Sequence, residues 1–418
     1  MSEQFSTDPY KGVRDFYPTD WAHMEAMFAR IRSTLTLWGY EEYNASPLER
    51  AELYEAKTSE EIVNEQTYTF TDRGARRVTL RPEMTPTLAR MVAGKRRELA
   101  LPLRWFSIGN RFRYERSQRG RLREFYQADI DLVGLPEGEA DVEIVRLASE
   151  ILKAFGATEN DFVIRVSSRV ILNSACKAAG LSAEATRAYI RLLDKKSKMR
   201  PEEFAIASES ISAQDPLSFI DAKNTEAFVA ALLKRGVWNV VFDVSITRGF
   251  DYYTGMVFEV FDTNPANPRS LFGGGRYDAL VALYGGDPIP AVGFALGDVT
   301  LADFLETHDL VPKFNFGTPQ LYVGTPSASD IPAAQVFADA MRKDGCRVFV
   351  NLTSRALGDQ IKDAVKRGIT LFVAYGANEV VNKSVRLKTL ATGEEVVLPV
   401  SDIHSYLQSN FRSPSSDL

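Results

Sequence analysis

Two neighbouring stretches of the 418-residue chain have the composition of a binding pocket: RGFDYYTGMVFE at Arg248 to Glu259, and FGGGRYD at Phe272 to Asp278. Paired tyrosines held between an Arg-Gly and a Thr-Gly step make a poor ordinary strand, because glycine weakens strands and each buried hydroxyl needs a partner. Upstream, Arg104, Arg111, Arg113, Arg116, Arg119, Arg121 and Arg123 crowd into twenty residues, with Phe112, Tyr114, Phe125 and Tyr126 interleaved. Planar, permanently charged guanidinium groups grip phosphates and carboxylates in two places at once. The formal net charge is −5, so positive charge is focused rather than general, and a focused patch serves phosphates on an acidic protein. The three histidines, His23, His308 and His404, fall outside these stretches, and two cysteines are too few for a four-cysteine zinc site. Catalysis must therefore rest on arginines, carboxylates and tyrosines.

These residues carry a resemblance. RGFDYYTGMVFE and GGGRYD resemble the two histidine-specific signatures of the histidyl-tRNA synthetases. RFRYERSQRGRLREFYQ at Arg111 to Gln127 is similar to motif 2 of the class II aminoacyl-tRNA synthetases, and LRPEMTPTLAR at Leu80 to Arg90 to the family's amino-acid-binding stretch. With the opening KGVRDFYP and the final hundred residues, the similarity covers nearly the whole chain. It implies a histidine–tRNA ligase that joins histidine and ATP to histidyl-adenylate and transfers the histidyl group to its tRNA. Mg²⁺ would come with the ATP phosphates, and no protein side chain is assigned as a metal ligand. A cytoplasmic homodimer with no membrane contact is expected.

The resemblance also implies roles. Arg248 and Arg113 would stabilise the α-phosphate during attack by the histidine carboxylate, Glu115 would accept from the adenine amino group, and Arg121 would lie near the terminal phosphates. Glu83 and Thr85 would bind the α-amino group of histidine with Gln127, and Met84 would belong to the same histidine-binding set. Asp131 and Tyr253, with Tyr252 beside them, would answer the donor and acceptor of the imidazole. Arg116, Gln118 and Arg119 would approach the tRNA acceptor end. Other readings stand beside these: Arg248 as a salt-bridge partner of Asp251 or Glu259, Arg276 as a partner of Asp278 or a ligand contact, and Gly273 to Gly275 as room for substrate. One departure bears on ATP. Where the family's third motif carries Glu-Arg, the segment PAVGFALGDVTLADFLE has Val299 and Thr300. Either other cations, among them Arg121 and Arg276, hold the terminal phosphates, with Asp298 on a metal-bound water, or adenylation has been lost. The latter would make the chain a non-catalytic paralogue regulating the phosphoribosyltransferase of histidine biosynthesis; an RNA-binding sensor module is a further alternative.

The elements that position these residues follow from periodicity. Residues 20–38 place apolar side chains at helical spacing, and YEEYNASPLERAELY reads as a strand broken at Pro47, resembling the family's dimer-forming motif 1 or simply a proline at a strand edge. A hairpin turning at Asp72 to Gly74 precedes a helix from Met84 to Val92. Two long strands flank the QRGR turn, and the helix EADVEIVRLASEILKAFG ends at Gly156. Together these give an α+β catalytic domain on an antiparallel sheet, residues 1–168 and 237–312, interrupted by a helical module at 169–236. Beyond the Pro/Gly-rich stretch near Val311 to Pro319, alternating strands and helices predict an α/β domain at 318–418 with a largely parallel sheet, resembling an anticodon-binding domain. No apolar run approaches the roughly 20 residues of a membrane helix, and no targeting segment is evident at the N-terminus.

Overall fold

The computed structural model describes residues 5–55, 66–115, 121–196, 199–220, 222–247, 252–312 and 319–410. Arg116, Gln118, Arg119 and Arg248 lie outside the described residues, as does the expected domain boundary at 318. Two compact units make up the chain: Met1–Tyr17 with Met27–Pro312, and Pro18–Ala26 with Lys313–Leu418.

Helix α1 (Pro18–Leu37) starts with proline at its first position, and its part in the first unit buries Met27, Phe28, Ile31 and Leu35, apolar at the three- and four-residue spacing of one helix face. The strands follow as β1 (Glu41–Glu42) and β2 (Leu48–Arg50), then a short helix α2 (Glu52–Glu55), then the hairpin β3 (Tyr68–Thr71) and β4 (Arg77–Leu80). Its turn is tied by Asp72, whose carboxylate accepts from the Gly74 and Arg76 amides at 2.8 and 2.9 Å. Helix α3 (Thr85–Gly94) leads to the long strands β5 (Leu103–Phe112) and β6 (Glu124–Val133). Helix α4 (Glu139–Ala154) buries Ile144, Val145, Leu147, Ala148, Ile151 and Leu152, and Gly156 ends it with φ +99°.

After β7 (Phe162–Ser168) come four helices, α5 (Arg169–Ala178), α6 (Ala183–Lys195), α7 (Pro201–Ile211) and α8 (Ala222–Leu233), before strand pairing resumes at β8 (Val240–Phe242). They hold a small core of their own built on Leu172, Cys176, Tyr189 and Leu193. The first unit closes with β9 (Met256–Asp262), β10 (Ser270–Arg276), β11 (Ala291–Gly297) and helix α9 (Asp298–Thr307). The eight-stranded sheet has the order β1-β5-β6-β11-β10-β9-β7-β8, antiparallel throughout except for the edge pairs β1·β5 and β7·β8. Its register sets Gln127, Asp129 and Asp131 of β6 against Gly297, Ala295 and Gly293 of β11.

The second unit contains β12 (Leu321–Gly324), α10 (Ile331–Lys343), β13 (Val348–Val350), α11 (Leu357–Lys366), β14 (Leu371–Ala374), α12 (Ala377–Asn382), β15 (Ser384–Thr389), β16 (Glu395–Pro399) and α13 (Ile403–Asn410). The sheet order is β13-β12-β14-β15-β16. Only β13, β12 and β14 are parallel; β15 and β16 are antiparallel, so the sheet is mixed rather than largely parallel. The reason is local. Residues Leu390 to Glu394 turn the chain straight back, with Gly393 at φ +78°, so no helix crosses over between the last two strands.

Candidate active site

A cleft of about 320 Å³ opens over the face of β6, β10 and β11. Side chains alternate across a strand, so Gln127, Asp129 and Asp131 share one face and all line it. Glu83 and Thr85 reach it from the start of α3, Arg113 and Glu115 from the end of β5, Arg121 from the turn before β6, and Tyr252 and Tyr253 from the segment before β9. Met84 does not line the cleft: its side chain is fully buried at the cap of α3, with its sulfur 3.9 Å from Arg81 Nη1.

The tyrosines divide the work differently from their order in sequence. The Tyr252 hydroxyl donates to Glu83 Oε2 at 2.9 Å, on the carboxylate expected to meet an ammonium group, and Tyr253 packs against it with ring centroids 5.0 Å apart. The hydroxyl on Asp131 belongs to Tyr277, from the GGGRYD stretch, which donates a short hydrogen bond to Oδ1. Burial pushes the Asp131 carboxyl up to about 8, with the neighbouring charge of Asp129 adding to the effect, while the Tyr277 hydroxyl and Arg111 oppose it. Against an unfolded value near 3.9, stability from this group is present below about pH 4 and lost as pH rises through about 8. The melting temperature of the protein without histidine should therefore fall between pH 5 and 8.5 by more than that of Asp131→Asn; matching pH profiles for the two would refute the shift.

Three buried acceptors among the cleft-lining residues take no hydrogen bond from any described residue: Glu115 Oε2, Gln127 Oε1 and Asp131 Oδ2. Glu115 Oε2 does lie 3.3 Å from Arg121 Nη1, an ion pair too poorly aligned to be a hydrogen bond. Arg113 donates from Nε to the Pro82 carbonyl at 2.9 Å and lies 5.3 Å from the centre of the Phe125 ring. Among the described residues, nothing accepts from its two terminal nitrogens.

Much of the arginine cluster is structural. Arg111 is fully buried, 2.5 Å from Asp129 through Nη2, and Arg104 forks onto Glu143 at 2.7 and 2.8 Å. Arg123 lies 4.0 Å over the Tyr114 ring. Arg276 is 1% exposed and donates to both oxygens of Asp141, to Asp278 and to the carbonyls of Leu135 and Pro136, all at 2.9 to 3.1 Å. No donor is left for a phosphate, so its candidacy as a ligand contact is withdrawn. Asp298 is spent as well: Oδ1 accepts from the Tyr126 amide at 2.9 Å and Oδ2 from Arg14 at 2.6 Å. The Thr300 hydroxyl donates to the Leu271 carbonyl at 2.6 Å.

The glycines of GGGRYD do two jobs. Gly273 lines the cleft, but a Cβ on Gly274 would lie 1.9 Å from the Gly293 carbonyl, and one on Gly275 would lie 2.6 Å from that of Met256. Those two serve strand packing rather than substrate. Gly293 makes room for Asp131, whose Oδ1 would be 2.1 Å from an added Cβ. Gly293→Ala should cost about 1–3 kcal/mol of strain; a chemical-denaturation midpoint equal to that of the unaltered protein would disprove the crowding.

Arg14, Arg111, Asp129 and Tyr277 were not singled out as site residues from sequence. For Asp129 a signal existed, since it sits two residues from both Gln127 and Asp131 on a strand. For Arg14 and Tyr277 no local pattern names the partner.

Comparison with known proteins bears on the whole chain. A family model described as histidyl-tRNA synthetase matches residues 12–232 and 200–300, and one described as anticodon binding domain matches 320–410. A histidine–tRNA ligase of Leptospira biflexa is 39% identical over 428 residues, covering 96% of this chain and 98% of that protein. The corresponding protein of Opitutus terrae is 36% identical with the same coverage. The crystal structure of a histidyl-tRNA synthetase from Nostoc sp. PCC 7120 superposes with a TM-score of 0.76 at 24% identity, covering 97% of this chain and 99% of that one.

Proposed function

The chain belongs to the histidyl-tRNA synthetase family, and from that premise we propose which of its side chains carry each part of the reaction. It is a histidine–tRNA ligase: histidine and ATP give histidyl-adenylate and pyrophosphate, and the histidyl group then passes to the 3′ end of tRNA.

The observation that carries the assignment is the set of three cleft acceptors that take no hydrogen bond from a described residue. A buried acceptor without a donor costs free energy, so it marks where a ligand donor belongs. Glu115 Oε2 suits the adenine amino group, Gln127 Oε1 the α-ammonium of histidine, and Asp131 Oδ2 an imidazole nitrogen, donating to it while the carboxyl keeps its proton and accepting from an N–H once ionised. Glu83 and Thr85 hold the ammonium with Gln127, Met84 fixes the turn that presents them, and Tyr252 orients Glu83. Tyr253 meets the second ring nitrogen, beside Asp131.

Arg113 grips the α-phosphate, and Arg248 is assigned to the same phosphate on the strength of its motif alone. Their charge counters the negative charge that builds as the histidine carboxylate attacks in line and pyrophosphate leaves. Arg121 attends the terminal phosphates. Among the described residues, no group of three or more His, Cys, Asp or Glu side chains is disposed to hold a metal ion. Mg²⁺ would accompany the ATP phosphates and supply charge neutralisation there. Arg116, Gln118 and Arg119 approach the tRNA acceptor end, and residues 318–418 read the anticodon. Residues 1–168 with 237–312 form the catalytic domain, and 169–236 a helical insertion. A cytoplasmic homodimer, paired around Pro47, completes the reading. Among the described residues, no helix is long and apolar enough to cross a membrane.

Histidine-dependent pyrophosphate exchange tests the assignment. We expect exchange with histidine and no other standard amino acid. No exchange at saturating ATP and Mg²⁺, on protein shown to be folded, would point instead to the regulatory paralogue.

A further inference from the structure

We propose that Arg14, delivered by the N-terminal segment, binds the terminal phosphates of ATP at the cleft wall formed by Asp298, Val299 and Thr300. The inference rests on the reading that ATP occupies this cleft.

A triphosphate brings several negative charges into a site that is already acidic. The described lining residues include the carboxylates Glu83, Glu115, Asp129, Asp131, Glu259 and Asp298 but only two arginines, Arg113 and Arg121. Arg113 is assigned to the α-phosphate, and Arg121 is shared with Glu115. The wall itself supplies no cation: Val299 is apolar, Asp298 is an acid, and the Thr300 hydroxyl is committed to a backbone carbonyl at 2.6 Å. Arg276 is enclosed by its own acceptors.

Arg14 differs from Arg276 in what remains available. Its Nη2 lies 2.6 Å from Oδ2 of Asp298, a residue that lines the cleft, and its side chain is 31% exposed. Nε is buried with no hydrogen-bond partner among the described residues. The guanidinium carbon sits 4.9 Å from the centre of the Phe16 ring, which supports one face of the group. Asp298 cannot follow a moving arginine, because its other oxygen is held by the Tyr126 amide at 2.9 Å. The Asp298 carboxylate is buried and needs its counter-charge, so Nη2 stays on Oδ2, while Nη1, from which no described residue accepts, is offered to a phosphate.

The test compares nucleotides on the full chain. Calorimetry would measure ATP, AMP and histidine binding to wild type, Arg14→Gln and Arg14→Lys. Loss of a charge-assisted contact should weaken ATP binding to Arg14→Gln by about tenfold or more, with AMP and histidine changed less than about twofold. Arg14→Lys, a point charge without the fork, should recover part of the loss. Equal losses for ATP and AMP would mean that Arg14 merely holds the wall, and unchanged ATP affinity would mean that it does neither; each overturns the proposal. If Arg14→Gln melts below the assay temperature, Arg14→Lys, which keeps the charge on Asp298, supplies the same contrast between ATP and AMP. Wild type that binds no ATP would sink the ATP reading as well, whereas wild type that binds it and variants that bind it equally sink this inference alone.

Discussion

Replacing Arg113 by alanine is expected to slow histidine-dependent pyrophosphate exchange by about 10²–10³-fold, the usual loss when a preorganised donor to developing charge is removed, while histidine binding stays within a few-fold. The reason lies in how the side chain is held. Nε is anchored on the Pro82 carbonyl at 2.9 Å and the plane is supported by Phe125, so the terminal nitrogens are fixed before any phosphate arrives. Preorganisation of this kind costs no rearrangement during reaction. Arg113→Lys should recover little, because an ammonium cannot keep the Pro82 contact and still present two parallel donors. Adenylate formation by Arg113→Ala within threefold of wild type in a rapid-mixing experiment would remove the residue from the chemistry.

Arg276→Ala is expected to destabilise the fold by about 3–5 kcal/mol, the cost of leaving a buried carboxylate uncompensated. Asp141 faces both ends of that guanidinium at 2.9 Å, and neither side chain is accessible to water. The effect belongs to folding rather than to ATP binding. Chemical denaturation should therefore show a large loss for Arg276→Ala and a smaller one for the double variant Arg276→Met/Asp141→Leu, which removes both charges together. The double variant should keep a KM for ATP close to that of wild type. A raised KM for ATP with unchanged stability would return Arg276 to the phosphates.

Both predictions turn on arginines that look alike along the chain. Sequence determined the parts that rest on short-range periodicity. Apolar spacing marked α1 and α4, the two-residue repeat of a strand placed Gln127, Asp129 and Asp131 on one face, and the turn at Asp72 to Gly74 paired β3 with β4. The order of the motifs was sufficient to name the chemistry. In the second unit, the same periodicity identified β12 to β15 but missed β16. It is an edge strand whose side chains are at most half-buried and which contains Pro399, and a proline in an apolar run argues against a strand.

Tertiary structure decided what each charge and each glycine is for. Arg14 and Asp298 are 284 residues apart in sequence, and Arg276 and Asp141 are 135 apart. Whether an arginine offers its donors to a ligand or spends them on the fold depends on where its counter-charge lies, and that is set by which strands become neighbours. The same holds for Gly274 and Gly293, whose missing side chains are required by the facing strand and by Asp131. Tyr277 acquires its role in the same way, since only the closed sheet brings its hydroxyl onto a carboxylate 146 residues away. Local propensity is encoded within a few residues, whereas burial and electrostatic pairing are properties of the assembled sheet.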